Sequence, residues 1–391
     1  MPVYARADIQ IERGEGSYLF DTQGRKYLDM AAGIAVNILG HGHPHLVQAL
    51  TEQGKKLWHT SNLYRIPGGE RLAQRLVDNT FADTLFFTNS GAEAWECSVK
   101  VCRAYQTATG NPGKYKIITC SNAFHGRTIM GIASTDQEKL RKGFEPLPDH
   151  FKTVPFNDLA AVAAAIDDTV GGIKFEPVQG EGGVTAATPE FMTGVRKLCD
   201  DHGLLLILDE IQCGVARTGK LFAHEHYGIT PDVMSIAKGI GGGFPLGACL
   251  ATEKAATGMV VGTHGSTYGG NPLAMAVGNA VLDVVLEPGF FEEVAAKGAR
   301  LEQALAQMIP NHDDIFRAEP VRGLGLMRGI GLKVPSRDFA NHARSEGIMT
   351  VAAAQDVLRL LPPLNISESE IAECVEKLSA AARSFPQKKA A

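Results

Sequence analysis

At 391 residues the chain is long enough for two domains, or for one large domain with a satellite. Hydrophobic content of 45% and charged content of 21% are ordinary for a globular soluble protein, and a formal charge of −5 gives no support to nucleic-acid binding. No apolar run reaches the roughly 18 residues of a membrane span, and the N-terminus lacks the apolar core of a secretory signal.

The seven cysteines, at 97, 102, 120, 199, 213, 249 and 374, form no Cys-x-x-Cys pair. They read as reduced thiols of a cytoplasmic protein. Lys388-Lys389 is the only basic tail and reads as a solvated end.

In chain order, 9–11 and 17–20 read as short antiparallel strands and 21–24 as a turn. From about 45 to 262, helical and strand patterns alternate. Helices are predicted over 46–58 and 69–80, and strands over 84–87, 116–119, 172–175 and 204–208. An Ala-rich crossover helix is predicted over 158–168. Such alternation predicts an α/β fold with a mostly parallel sheet covered on both faces.

After about 270 the pattern changes. Helices are predicted over 272–286 and 290–308, followed by strands over 321–327 and 357–361. The last helix opens with a capping box, Ser367 with Glu370, flanked by Ile366 and Ile371 as a hydrophobic staple. Its buried stripe is Ile371, Cys374, Val375, Leu378 and Phe385. The expected division is a large domain over 45–270 and a smaller one built from 1–44 and 271–391.

Two strand ends carry the strongest chemical signal. The apolar run 204–208 ends in Asp209, and the run 231–237 ends in Lys238, before Gly239-Ile240-Gly241-Gly242-Gly243. Ligand sites in open α/β sheets lie at the carboxyl ends of strands. A partly desolvated lysine there has a lowered pKa and a nucleophilic amine. An amine able to form a Schiff base, with an aspartate facing a pyridinium, is what pyridoxal 5′-phosphate needs.

Other segments reach the same edge. Thr88-Asn89-Ser90-Gly91-Ala92-Glu93 follows a strand and opens a helix, where free N–H groups suit a phosphate; a plain Ser N-cap is the competing reading. Phe124-His125-Gly126-Arg127 offers an aromatic for stacking and a guanidinium for a carboxylate, although an Arg there also reads as a surface residue. Gln179 and Glu181 sit in a glycine-rich loop after the strand at 172–175, and Ser266 and Thr267 in a loop suited to a phosphate or a tight turn.

Two segments mimic other chemistry. His41-Gly42-His43-Pro44-His45 suggests a metal but has no acidic or cysteine partner in register. Gly214 to Lys220 nearly matches a phosphate-binding loop, but Leu221 stands where a Ser or Thr would hold magnesium. A nucleotide-binding module built there is the rival of a different class. Cys213, beside the strand-end aspartate, reads as a packed thiol.

Taken together, these segments resemble class-III pyridoxal-phosphate-dependent aminotransferases of the fold-type-I architecture, from about residue 9 to 385. Within the family the resemblance is to the bacterial acetylornithine branch. It implies that Lys238 forms the Schiff base and shuttles the proton, and that Asp209 holds the pyridine nitrogen protonated. Phe124 and Ile211 would sandwich the ring, and Gln212 would face its phenolic oxygen. Ser90, Gly91 and Ala92 would bind phosphate, with Thr267 added from the other subunit of a homodimer. Arg127 and Ser266 would bind substrate, Arg359 the glutamate α-carboxylate, and Glu181 would neutralise Arg359 during the acetylornithine half-reaction and swing aside for glutamate.

The implied reaction moves the δ-amino group of N2-acetylornithine to 2-oxoglutarate, in arginine biosynthesis. Ornithine, succinylornithine and 4-aminobutyrate remain alternative donors. Ile34 stands where ornithine enzymes of the family carry a tyrosine, which favours an acylated α-nitrogen.

Overall fold

The computed structural model describes residues 1–386, so the Lys388-Lys389 tail lies outside the described residues. Its centre is a seven-stranded sheet. The strands are Thr84–Thr88 (β1), Lys116–Cys120 (β2), Phe151–Val154 (β3), Val170–Phe175 (β4), Leu205–Asp209 (β5), Val233–Ile236 (β6) and Gly247–Ala251 (β7). Their order is β1-β7-β6-β5-β4-β2-β3. Only β7 runs against its neighbours, β6 and β1. Strand order and direction give the mostly parallel sheet expected of the α/β fold.

Strands β4 to β7 are buried at every position and read as apolar runs interrupted only by Lys174, Asp209 and Ser235. Alternate side chains of β5 serve the two faces. Leu205 and Ile207 pack with Trp95 of the helix Gly91–Ala108 (α1), whereas Leu206 and Leu208 pack with Phe191 of the helix Pro189–His202 (α2). Thr188 caps the start of α2, and Gly203, at φ 64°, ends it in the left-handed region.

Beyond the large sheet, Ile11–Glu15, Tyr18–Asp21 and Lys26–Asp29 form a meander. Its last strand pairs in parallel with Ile348–Met349, so the N-terminus is tied to the C-terminal part. A second four-stranded sheet orders Arg322–Leu324, Met327–Gly331, Val357–Leu360 and Val351–Ala353. One hydrophobic cluster runs from Leu28 and Leu72 through Met275 and Leu301 to Leu378.

Several expected boundaries move. The first strand starts at Ile11 rather than ending there. The helices expected at 46 and 69 start at Pro44 and Pro67, where a first-turn proline loses no hydrogen bond. The strand expected over 321–327 is instead a hairpin. Gly325 turns it at φ 52°, pressed against the Thr218 backbone, where a Cβ would collide. The terminal capping box forms: Ser367 Oγ accepts from Glu370 N–H at 3.2 Å, and Ser367 N–H donates to the Glu370 carboxylate at 2.7 Å. Among the described residues, no single helix is long and apolar enough to cross a membrane.

Candidate active site

A cavity of about 390 Å³ opens where β1, β2, β4, β5 and β6 end. Each strand end delivers part of its wall, because the parallel strands all point their carboxyl ends to one edge.

Lys238 lies just past β6 and lines the cavity. Its φ of 50° is left-handed, a conformation that costs a non-glycine residue roughly 1–2 kcal/mol. The residue is half-buried. Desolvation first, then the Arg359 charge, push its amine down to about 8, against the opposing pull of Glu181, Asp209 and Glu176.

Asp209 ends β5 and is buried. Burial alone would raise its pKa. The hydrogen bond and electrostatic attraction of the His125 ring, then the Lys174 charge and the Ile211 N–H, reverse this and hold it below the usual carboxylate range. His125 Nδ1 lies 2.7 Å from Asp209 Oδ2, and Ile211 N–H donates to Oδ1 at 3.2 Å. Burial lowers the His125 pKa, so its neutral ring donates from Nδ1, the tautomer an ionised carboxylate requires. The His125 ring stacks on Trp95 with centroids 5.8 Å apart.

Ser90 caps α1 by accepting from Glu93 N–H at 3.2 Å. Gly91 and Ala92 then form the first turn, with N–H groups that have no partner within the helix. A Cβ on Gly91 would lie 2.9 Å from the Ile211 side chain, so glycine is needed for these two elements to meet.

Phe124 lines the cavity, and its N–H donates to Glu176 at 3.1 Å. The other Glu176 oxygen accepts from Gly180 N–H at 3.2 Å. Burial and the Asp209 charge push the Glu176 carboxyl up to about 8.

Arg359 enters from strand Val357–Leu360 and is fully buried. It donates to Gln212 Oε1 at 2.8 Å and to Glu181 Oε1 at 2.6 Å. Gly180 packs directly on the Gln212 amide, where any side chain would overlap.

The structure therefore gathers Ser90, Gly91, Ala92, Phe124, Asp209, Ile211, Gln212 and Lys238 around one cavity, with Arg359 and Glu181 reaching it through Gln212. Besides Arg359 and Glu181, three expected site residues stay outside its lining. Arg127 is exposed, with its guanidinium 5.5 Å from the Phe124 ring. Ser266 Oγ accepts from Gly269 N–H at 2.9 Å and from Asn89 at 3.3 Å, fixing its own loop. Thr267 is exposed. Ile34 is 38% exposed in a left-handed turn that leads to Val36 in the cavity wall.

Sequence reasoning missed His125 and Glu176 as site residues. Both lie within segments it singled out, and the signal for each was its place beside a strand end.

The two mimics take other roles. His41 pairs with Asp29 at 2.8 Å and His45 with Asp283 at 2.9 Å, on separate carboxylates. In the Gly214 to Lys220 segment, Arg217 is fully buried and donates to the carbonyls of Leu326 and Pro362, so this loop docks on the C-terminal part. Cys213 is buried, and burial raises its thiol well above its ordinary value.

A family model described as aminotransferase class-III matches residues 3–382. The chain belongs to the class-III aminotransferases. It is 55% identical over 385 residues to the acetylornithine aminotransferase of Rhodobacter capsulatus, covering 98% of each chain. The N-acetylornithine aminotransferase structure from Stenotrophomonas maltophilia superposes with a TM-score of 0.85 at 38% identity, over 98% of this chain and 97% of that one. An ornithine aminotransferase from Toxoplasma gondii, with PLP in partial occupancy at its active site, gives 0.92 at 28% identity, over 97% and 92%.

The cofactor of this class-III aminotransferase is pyridoxal 5′-phosphate. The donor set in the cavity fits it. An ionised, buried carboxylate suits a protonated ring nitrogen, an amine of lowered pKa suits a Schiff base, and unpartnered N–H groups at a helix start suit a phosphate.

Proposed function

We propose that this class-III aminotransferase moves the δ-amino group of N2-acetyl-L-ornithine to 2-oxoglutarate, giving N-acetylglutamate 5-semialdehyde and glutamate, in cytoplasmic arginine biosynthesis. The observation that carries this reading is the 55% identity, over 98% of both chains, to an acetylornithine aminotransferase.

The bound cofactor supplies an electron sink for the carbon that loses its proton. The protein's own residues do the rest. Lys238, with its lowered pKa, holds the cofactor and moves the proton at the reacting carbon. Asp209, kept ionised, faces the ring nitrogen. Phe124 and Ile211 confine the ring from its two faces, and Gln212 faces its phenolic oxygen. The N–H groups of Gly91 and Ala92, with Ser90, hold the phosphate. Arg127 takes the carboxylate remote from the reacting carbon in either substrate. Arg359 takes the carboxylate that only glutamate carries beside that carbon.

The active unit is a homodimer, in which Thr267 adds a phosphate contact to the neighbouring site, while Ser266 binds substrate with Arg127. Leu63, Tyr64, Val260, Val261 and Tyr268 leave large apolar surface exposed on and around that loop. Asn62 ties the two segments by donating to the Gly269 carbonyl at 2.8 Å.

The test is a half-reaction screen against the pyridoxal form, with acetylornithine, ornithine, succinylornithine and 4-aminobutyrate as donors. Acetylornithine should give the highest kcat/KM. A faster reaction with free ornithine or 4-aminobutyrate would overturn the assignment within the family.

A further inference from the structure

Lys174 is fully buried one residue before the end of β4, and among the described residues it forms no salt bridge. Its ammonium donates to Ser98 Oγ at 2.6 Å and Ser235 Oγ at 3.3 Å, and sits 4.8 Å from the centre of the Trp95 ring. Hydroxyls and an aromatic face solvate a cation but do not neutralise it. A lysine in such a place costs stability, because its charge is desolvated.

The strand register shows what faces it. Lys174 lies opposite Ile207 on β5, and Asp209 lies opposite Ser235 on β6. Ile207 and Asp209 are two residues apart and share a face, so Lys174, Asp209 and Ser235 all point to the side covered by α1. The titratable groups acting on Lys174 are Asp209, Cys249 on β7, and Cys97 and Glu96 on α1. Burial leads in pushing Lys174 down to about 8, and Asp209 leads the groups that oppose it. In turn the Lys174 charge is among those that hold Asp209 ionised. His125, the direct partner of Asp209, is itself depressed by burial and so supplies a hydrogen bond rather than a fixed charge.

We infer that Lys174 is a positioning residue of the reaction: its ammonium, behind Asp209 and away from the cavity, keeps Asp209 a carboxylate and thereby keeps the cofactor's ring nitrogen protonated. The charges then alternate from Lys174 to Asp209 to the ring. A cation nearer the carboxylate than the ring favours the charged pair over the neutral one. This rests on the reading of Asp209 as the partner of the ring nitrogen.

The experiment reconstitutes the holoenzyme with cofactor labelled with nitrogen-15 in the ring and reads that nitrogen's chemical shift. The unmodified protein is compared with Lys174→Met, Lys174→Gln and Asp209→Asn. Met removes both charge and hydrogen bonds. Gln keeps a donor for the two serines but no charge. Both Lys174 variants should move the shift toward the neutral position, with kcat reduced about tenfold, the effect of one pKa unit.

A Lys174→Met shift equal to that of the unmodified protein, or full restoration by Gln, would overturn the inference and leave Lys174 a packing residue. If Asp209→Asn itself leaves the shift unmoved, the reading of Asp209 fails instead. Should neither Lys174 variant fold, the unmodified holoenzyme decides. With the lysine amines also labelled with nitrogen-15, its ring shift should move toward neutral as the Lys174 amine loses its proton, and a ring shift flat through that titration overturns the inference.

Discussion

Arg359 and Glu181 meet at 2.6 Å, the arginine wholly buried and the glutamate side chain 27% exposed. The asymmetry matters. Arg359 is also held by Gln212, so it stays in place, whereas Glu181 sits in a loop and can leave toward solvent. A buried cation that loses its partner costs about 3–5 kcal/mol. Acetylornithine brings no carboxylate beside its reacting carbon, whereas glutamate does. Glu181 would therefore cover Arg359 for the first substrate and yield it to the second.

Glu181→Gln should slow the acetylornithine half-reaction more than the glutamate one, by about tenfold or more if even part of that pair energy is lost. Arg359→Ala should do the reverse. Single-turnover rates for each half measure this. Equal losses in both halves would remove the gate.

Lys238 gives a pH signature in the cofactor-free protein. Its neutral amine is the nucleophile, so labelling by an acylating reagent should rise as pH passes about 8, well below the ordinary lysine range. Arg359 depresses this value and Glu181 raises it. Arg359→Ala should thus move the labelling midpoint upward and Glu181→Gln downward, as mass spectrometry of the Lys238 peptide would record. Borohydride reduction of the holoenzyme should place the cofactor on Lys238, and recovery on another lysine refutes its role.

Asp209→Asn replaces the carboxylate with a neutral amide of the same shape. The hydrogen bond to His125 can persist through the amide oxygen, but the charge facing the ring is gone. The expected loss in kcat is about a hundredfold or more, the scale of one electrostatic partner. Activity within a few-fold of the unmodified enzyme would show that the charge is not used.

Thr267 tests the shared site. Thr267→Ala should weaken cofactor retention, measured by dialysis and absorbance. In mixtures with Lys238→Ala, hybrid dimers pair one site carrying both lesions with one intact site, or split the lesions between sites, depending on which subunit's phosphate Thr267 serves. If it serves the partner, each hybrid has one site carrying both lesions and one intact site, so mixing should restore activity; if it serves its own subunit, both sites are damaged. Activity in a confirmed monomer would count against the shared site.

Much of this protein was legible in one dimension. The largely apolar runs of β5 and β6, followed by Asp209 and Lys238, predicted buried parallel strands with chemistry at their ends. The Ser367–Glu370 capping box predicted the last helix, and it forms. These are local signals, set by propensity and spacing within a few residues. Where local signals were ambiguous, the reading slipped. The stretch 321–327 carries strand-forming residues on both sides of Gly325, and only its packing against Thr218 turns it into a hairpin.

What tertiary structure alone decided is who faces whom. His125 and Asp209 are 84 residues apart, and Glu181 and Arg359 are 178 apart. Lys174 looked like one residue of an apolar strand until register placed it on the face of Asp209. Arg217 sat in a loop resembling a nucleotide motif until burial against Leu326 and Pro362 gave it a structural role. Periodicity depends on neighbours in the chain, so sequence determines it. Desolvation and charge pairing depend on every neighbour in space, so only the folded chain determines those.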